Sequence, residues 1–304
     1  MGLRILVTGG AGFIGSHLAD RLVRAGDEVH VLDDLSTGHA NQLPPEAELH
    51  QVRLQDKDHV AACVADVRPE LVYHLAAQPS VLRSARAPED DARANILGSL
   101  HLLESVRKRD VRMVFASTGG AIYGEVAEGR RAKLDDRLQP LSPYGIAKAA
   151  CERYLHHYGR EYGLHFSILR LANIYGPRQD PAGEAGVVAI FKRALDAGEA
   201  LRIHARRTPG DGGCIRDYVH VDDAVEAFFG LRERGPALCQ LGSGVGTSTR
   251  ELAEHLRALL GETEHPITEA PRRLGDLGRV VLEPDLPVRV SLTEGLRQTF
   301  GATA

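Results

Sequence analysis

Tyr144 and Lys148 stand four residues apart in the segment SPYGIAK, at the start of a predicted helix. Residues i and i+4 share a helical face, so the phenol and the amine emerge side by side. An ammonium a few ångströms away favours phenolate, which predicts a tyrosine pKa lowered from about 10 by roughly 1 to 3 pH units. Tyr144 would then act as a general base near working pH, an effect on the order of 10² to 10⁴ in rate. Such a pair is common on helices and gains meaning only beside a second motif.

That motif lies about 130 residues upstream. The segment TGGAGFIG holds two overlapping patterns, Gly9-xx-Gly12-xx-Gly15 and Gly10-x-Gly12-xx-Gly15, closing a predicted strand and opening a predicted helix. In that setting glycines let the backbone approach a pyrophosphate, whose charge the N–H groups at the helix start attract. A turn that only tightens strand-to-helix packing is the plainer alternative. The second strand ends in Asp33 and Asp34, with Asp33 18 residues beyond Gly15. This is near the spacing at which a carboxylate accepts both hydroxyls of an adenosine ribose. Two adjacent carboxylates with no Arg beside them would repel a 2′-phosphate, so the cofactor predicted is NAD rather than NADP. Either acid could instead be a solvated turn residue.

Positioning these groups requires alternating strands and helices. Leu3–Thr8, Glu28–Leu32, Leu49–Leu54, Leu71–Ala77, Val111–Thr118 and His165–Asn173 read as strands, and Phe13–Ala25, Asp91–Lys108 and Tyr144–Tyr162 as helices. That rhythm predicts an α/β fold, a Rossmann-type doubly wound parallel sheet whose strands are covered on both faces. After Asn173 comes a Gly/Pro-rich loop, YGPRQDPAGEAG, and then a smaller, less regular region. Gly212–Val221 and Ala237–Gly242 again read as strands, so the expected division is interleaved. Residues 1–176 form a dinucleotide-binding domain, rejoined by about 216–243, and residues 177–304 a substrate region.

Composition excludes other classes. The 304 residues carry 37 Lys+Arg against 41 Asp+Glu, a net charge of -4, which offers no basic surplus for nucleic acid. No apolar run nears the roughly 20 residues of a membrane span, and no leader is recognisable before LRILVTGG, so a cytoplasmic protein is expected. Cys63, Cys151, Cys214 and Cys239 are spaced as ordinary thiols, and the 14 His show no short ligand spacing, so no metal is expected.

The segments TGGAGFIGSHLAD, VLDDLSTG, YHLAAQ, NILGS, FASTGGAIYGE, SPYGIAK, RLANIYGPRQ and IRDYVHVDD occur in this order over nearly the whole chain. Together they resemble the extended short-chain dehydrogenase/reductases of the NAD-dependent epimerase/dehydratase kind, and among these most closely the UDP-glucose 4-epimerases. The resemblance implies 4-epimerisation of a UDP-hexose through a transient 4-keto sugar and enzyme-bound NADH. It makes Tyr144 the base, Lys148 its electrostatic partner and a ribose ligand, and Thr118 the hydroxyl that bonds the sugar's reacting oxygen, with Ser117 as the alternative. Asn95 would support the active-site helix and its water. Around NAD it places Gly9, Gly12, Phe13, Ile14 and Gly15 at the pyrophosphate, then Asp33, Asp34 and the loop Leu35, Ser36, Thr37 and Gly38. Leu54 would lie under the adenine, and Leu75, Ala76, Ala77 and Gln78 along the ribose and diphosphate, with Ser117, Tyr144 and Lys148 completing the cofactor set. Arg53 stands where many relatives have an Asp for the adenine amino group; a guanidinium cannot accept that hydrogen bond, though it can stack on the ring.

For the UDP-sugar, the resemblance sets Arg216 and Arg273 on the diphosphate, Asp276 on a ribose hydroxyl, and Asn173 on the diphosphate or sugar. Val187, Val188, Ile203 and His204 would wall the uracil. Val280, at a sugar-pocket position where a bulky residue excludes a 2-acetamido group, predicts turnover of UDP-GlcNAc as well. Gly119 and Gly120 replace the acids that related dehydratases carry after the Ser/Thr, which favours epimerisation. UDP-glucuronate 4-epimerase is the nearest rival, and a non-catalytic NAD(H)-binding regulator is a rival from another class. The joint presence of Tyr144 and Lys148 opposes the regulator. A homodimer paired through Asp91–Lys108 and Tyr144–Tyr162 is also implied.

Overall fold

The computed structural model of the chain describes residues 2–180, 186–233, 235 and 237–301, so positions 181–185 of the expected Gly/Pro-rich loop lie outside the described residues. Six strands come first: β1 (Arg4–Thr8), β2 (Glu28–Asp33), β3 (Glu48–Gln51), β4 (Leu71–His74), β5 (Arg112–Thr118) and β6 (His165–Leu171). Seven follow: β7 (Asn173–Tyr175), β8 (Leu201–His204), β9 (Ile215–His220), β10 (Ala237–Leu241), β11 (Gly246–Ser248), β12 (Ile267–Ala270) and β13 (Arg279–Val280). The large sheet has the order β10-β6-β5-β4-β1-β2-β3, and every pairing in it is parallel. Strand order reverses between β1 and β4, which opens a crevice at the carboxyl ends of the strands, where ligands of such sheets bind.

Both faces of this sheet are covered, which is why its strands read as unbroken apolar runs. Along β1, Ile5 and Val7 pack into one core with Leu18, Leu22 and Tyr73, whereas Leu6 packs into the opposite core with Val60, Val72 and Leu102. A third core, around Tyr175, Phe191, Leu201, Leu252 and Leu296, lies under the helices Val187–Asp196, Thr249–Leu260 and Leu292–Phe300. No helix of the described residues is long and apolar enough to cross a membrane.

Two elements differ from expectation. Of the two late strands expected to rejoin the large sheet, only β10 does so, beside β6. β9 instead pairs with β7, β11 and β13 in a smaller sheet, because the chain leaves β6 at Ala172 and β7 runs beside β9. The helix expected over Asp91–Lys108 runs unbroken from Pro88 to Val106 but is not regular, since a wider π-turn at Arg93–Leu97 interrupts its α-helical hydrogen bonding. Within the π-turn the carbonyl of Asn95 accepts from Ser99 Oγ at 2.5 Å and Cys151 Sγ at 3.2 Å.

Candidate active site

The glycine turn joins β1 to the helix Phe13–Arg24. Gly9 has φ +71° and lies so close to the next strand that a Cβ there would sit 2.6 Å from the Ala76 nitrogen. At Gly15 a Cβ would sit 2.1 Å from the Gly9 carbonyl oxygen. Gly12 differs: its φ of -81° suits any residue, and a Cβ would meet only the Gly9 oxygen, at 3.3 Å. No side chain caps this helix and its first turn holds no acid, so its N-terminus suits a diphosphate. The cradle therefore fits a dinucleotide, and Gly12 is its open point. Gly12→Ala is expected to keep the fold yet weaken NAD binding at least about tenfold, a loss of roughly 1.4 kcal/mol. Gly15→Ala should cost about 1–3 kcal/mol of stability instead. Melting curves beside NAD titrations check the pair; equal loss of stability in both variants would contradict the assignment.

Asp33 ends β2 and is buried. Its carboxylate accepts from the Ala11 N–H at 3.0 Å and the Leu35 N–H at 2.9 Å, tying the glycine turn to the following loop. Burial pushes its pKa up, and these two hydrogen bonds oppose that. Asp34 accepts from the Ser36 N–H at 2.9 Å. The expectation that no Arg stands beside the acids needs correction, because Arg53 Nε lies 3.4 Å from Asp34 Oδ2 across the β2–β3 pair. Ser36 and Thr37 are exposed, Gly38 is packed against Ala11, and Leu54 is buried against Gly98.

The loop Leu75–Gln78 follows β4 and is fixed by a chain of polar contacts. Ala76 N–H donates to Thr8 Oγ1 at 3.3 Å, and Thr8 Oγ1 lies 2.7 Å from His74 Nδ1. His74 Nε2 lies 2.9 Å from Ser99 Oγ, which donates onward to the Asn95 carbonyl. A neutral His74 satisfies this order, and burial drives its pKa down to about 3, with the Lys148 charge adding. Asn95 closes the loop: its Oδ1 accepts from Gln78 N–H at 2.8 Å, and its Nδ2 donates to the Gln78 carbonyl at 3.0 Å and to Asp91 at 2.9 Å.

Thr118 ends β5 and Tyr144 opens the helix Pro143–Tyr162, whose N-terminus is capped by Ser142 accepting from the Gly145 N–H. The hydroxyl of Thr118 neighbours that of Tyr144 and acts to lower its pKa. Ser117, the alternative to Thr118, points elsewhere because neighbouring strand residues face opposite sides. Its Oγ donates to Glu152 at 2.6 Å. Lys148 is buried, donates to the Ala116 carbonyl at 2.8 Å, and has its nitrogen 4.7 Å from the Phe115 ring centre. The protein's own groups do not by themselves give the expected lowering of the Tyr144 pKa. Burial pushes the phenol up, the Asp91 charge adds to this, and only the neighbouring Thr118 side chain opposes it.

Lys148 is displaced the other way. Burial lowers it to about 8, against the upward pull of Cys151, Asp91 and Glu152. Below pH 8 both folded and unfolded chains carry the proton and the cost of burying the ammonium is fully present. Between pH 8 and 10.5 the folded chain has released a proton that the unfolded chain keeps, so stability rises with pH. Urea unfolding across that range should show wild type gaining on Lys148→Met; a constant difference would contradict it.

On the substrate side, Arg216, Arg273 and Asp276 converge, all three acting electrostatically on Cys214. Arg216 donates to the carbonyls of Ile215 at 3.0 Å and Leu277 at 2.6 Å. Arg273 Nε lies 3.4 Å from Asp276 Oδ2, buried and without a hydrogen bond among the described residues. Asn173 reaches the chemical site, since a Cβ on Gly120 would lie 3.1 Å from Asn173 Oδ1 and 3.8 Å from Thr118 Oγ1. Val187 and His204 are half-buried, whereas Val188 and Ile203 are core residues. Val280 also needs correction. It pairs with Arg216 across β13–β9 and is 2% exposed, packed with Ile122, Tyr123 and Leu282 rather than facing an open pocket.

The profile of the NAD dependent epimerase/dehydratase family matches residues 5–237. The chain is 43% identical to UDP-glucose 4-epimerase of Mycolicibacterium smegmatis, over 98% of this chain and 97% of that one. The chain belongs to the NAD-dependent epimerase/dehydratase family. Among solved structures, the UDP-glucose 4-epimerase of Thermus thermophilus in complex with NAD superposes with a TM-score of 0.95 at 46% identity, covering 98% of both chains. The Thermotoga maritima enzyme with UDP-glucose gives 0.91 at 43%, covering 98% of this chain and 97% of that one. As in this family generally, the cofactor of the fold is NAD, and the chain is an enzyme.

Some residues that hold this epimerase-family site were given no role from the sequence, although Glu125 and Asp217 lie within the segments FASTGGAIYGE and IRDYVHVDD. Glu125 accepts from the N–H groups of Gly278 at 2.6 Å and Arg279 at 3.0 Å, fixing the end of the RLGD loop. Asp217 accepts from Ser243, Gly244 and Leu282, binding β9 to the turn after β10. Asp91 joins Gln78 to Asn95. Each works through long-range backbone N–H or side-chain contacts that local spacing does not reveal.

Proposed function

We propose that this chain interconverts the C4 epimers of a UDP-hexose, UDP-glucose and UDP-galactose in the first place. The carrying observation is the Thr118–Tyr144 hydroxyl pair at the carboxyl end of β5, the edge of the sheet that also holds the glycine cradle. Directly after it, a Cβ on Gly119 would lie 2.4 Å from Leu282 Cδ1, so no acid can occupy that position without moving the core. This favours epimerisation over elimination of water. Residues 1–176, completed by β10, would hold NAD, with the UDP-sugar between them and residues 177–304.

Bound NAD supplies the acceptor that takes the C4 hydride and returns it. Tyr144, in the phenolate form that the positive nicotinamide ring of bound NAD would favour, takes the proton of the 4-hydroxyl and gives it back after the sugar has turned over. Thr118 orients that oxygen, Lys148 holds the ribose side, and Arg216 and Arg273 secure the diphosphate. A proton NMR time course with UDP-glucose, UDP-GlcNAc and UDP-glucuronate tests this. Inversion of UDP-glucose is the expected result; inversion of UDP-glucuronate alone would move the assignment, and silence with all three would favour a binding role. Turnover of UDP-GlcNAc now rests on that measurement, since a bulky residue at Val280 would disturb its apolar cluster before it narrowed a pocket.

A homodimer in the cytoplasm completes the proposal. Leu97, Ile146, Tyr154 and Tyr162 are 43%, 52%, 38% and 44% exposed, all on or beside the two helical segments expected to pair. Light scattering should give twice 33.0 kDa. Cys63, Cys151 and Cys214 are buried thiols, as suits a reducing compartment.

A further inference from the structure

On the sheet edge away from the active site, β2 and β3 set four polar side chains together. His30 pairs with Glu48 in register. Because alternate strand residues share a face, Glu28 and His30 on β2 stand beside Glu48 and His50 on β3. His30 Nδ1 lies 3.1 Å from His50 Nε2 and 3.5 Å from Glu48 Oε2, and Glu48 Oε1 lies 3.8 Å from His50 Nε2. Behind them, His30 Nε2 lies 3.1 Å from Glu28 Oε1.

The tautomer shows how this cluster can take a cation. The Glu28 carboxylate can only accept, so the neutral His30 ring donates from Nε2 and leaves a lone pair on Nδ1. That lone pair then faces a second acceptor, the Glu48 carboxylate, in a site where His30 is 8% exposed and the His50 side chain 16%. His50 Nε2, nearer at 3.1 Å, can donate its own proton to that lone pair; a cation placed among the three would instead take one lone pair from each of His30, His50 and Glu48. Ligands at zinc distances of 2.0–2.1 Å in a tetrahedron stand about 3.4 Å apart, close to the separations of His30 Nδ1 from His50 Nε2 and from Glu48 Oε2, with the three ligand atoms all within 4.8 Å of one another. A carboxylate behind a ligating histidine is also the usual support that fixes its tautomer.

We propose that His30, Glu48 and His50 bind a divalent cation of the zinc class, with Glu28 as the positioning residue for His30. Two imidazoles and a carboxylate leave the fourth position to water. The ligands come from neighbouring strands, 18 residues apart in the chain, which is why the expectation of no metal rested on local spacing. Its role is structural: the ion clamps the edge strand β3 to β2, three residues before Asp33.

The test uses the full chain, stripped with a chelator. Cobalt(II) titration should give one tetrahedral-type visible spectrum per chain, displaced by Zn2+, and Zn2+ should raise the melting temperature. His50→Gln and Glu48→Gln should each lose at least tenfold in cobalt affinity, and Glu28→Gln about 10- to 100-fold. Equal cobalt affinity in wild type and His50→Gln would overturn the proposal. So would a melting temperature that ignores Zn2+ but falls in metal-free Glu48→Gln, the result expected if a proton on His30 holds the carboxylates together.

Discussion

Tyr144→Phe should lower C4 inversion by at least about 10²-fold while NAD binding is retained. The phenol ring stays half-buried at the head of its helix, so only the hydroxyl is removed. That hydroxyl is the one beside Thr118, at the edge of the sheet where the glycine cradle lies. Its environment makes a second measurement informative. Burial and the Asp91 charge hold the phenol protonated in the protein alone, above the ordinary value of 10.0. Ultraviolet difference titration of wild type against Tyr144→Phe, both free of ligand, should therefore show no ionisation of this residue below about pH 10. Near-normal turnover in the variant would remove Tyr144 as the base. Ionisation near neutrality would show instead that Lys148 acts on the phenol directly, as the helical spacing by itself predicts.

Arg170→Met should cost about 3–5 kcal/mol of stability. Arg170 and Glu152 are an ion pair with side-chain exposures of only 5% and 4%. Arg170 reaches Glu152 through Nε at 2.9 Å and Nη2 at 2.6 Å, and its Nη1 donates to Tyr123 Oη at 2.8 Å. Without the guanidinium, Glu152 is left as a buried carboxylate with Ser117 as its remaining partner. The pair sits directly behind the chemical site, since Ser117 is the register neighbour of Arg170 and precedes Thr118. Urea unfolding of Arg170→Met should show the loss, and Glu152→Leu combined with Arg170→Met should recover part of it. A single-variant loss below about 1 kcal/mol would mean that the carboxylate finds water or a proton easily.

What the sequence made legible was what is local. The glycine turn, Asp33 at the end of β2, and the placing of Tyr144 on a helix start are each set by a few neighbouring residues, and they stand where the pattern predicts. Pairings between distant segments were not legible. Arg53 meets Asp34 only because β2 and β3 run side by side, and β9 joins a small sheet because β7 turns away after β6. Side-chain direction was lost for a different reason. A motif marks a stretch that lines a site, but Val188, Ile203 and Val280 fall on the inward side of their elements and pack as core. The helix at residues 91–108 reads as regularly α-helical because its apolar spacing is helical throughout. The wider turn at Arg93–Leu97 is instead associated with long-range acceptance at the Asn95 carbonyl.

The late arrival of β10 has a consequence for biosynthesis. When β6 leaves the ribosome, its outer edge is an open row of amide and carbonyl groups, an invitation to intermolecular pairing. Its partner emerges about 66 residues later, after the small sheet has begun, a wait of roughly 3 to 13 s at ordinary translation speeds. Over that interval a nascent chain is neither sealed nor separable into independent halves, so newly made copies are most vulnerable to aggregation just before residue 241 appears.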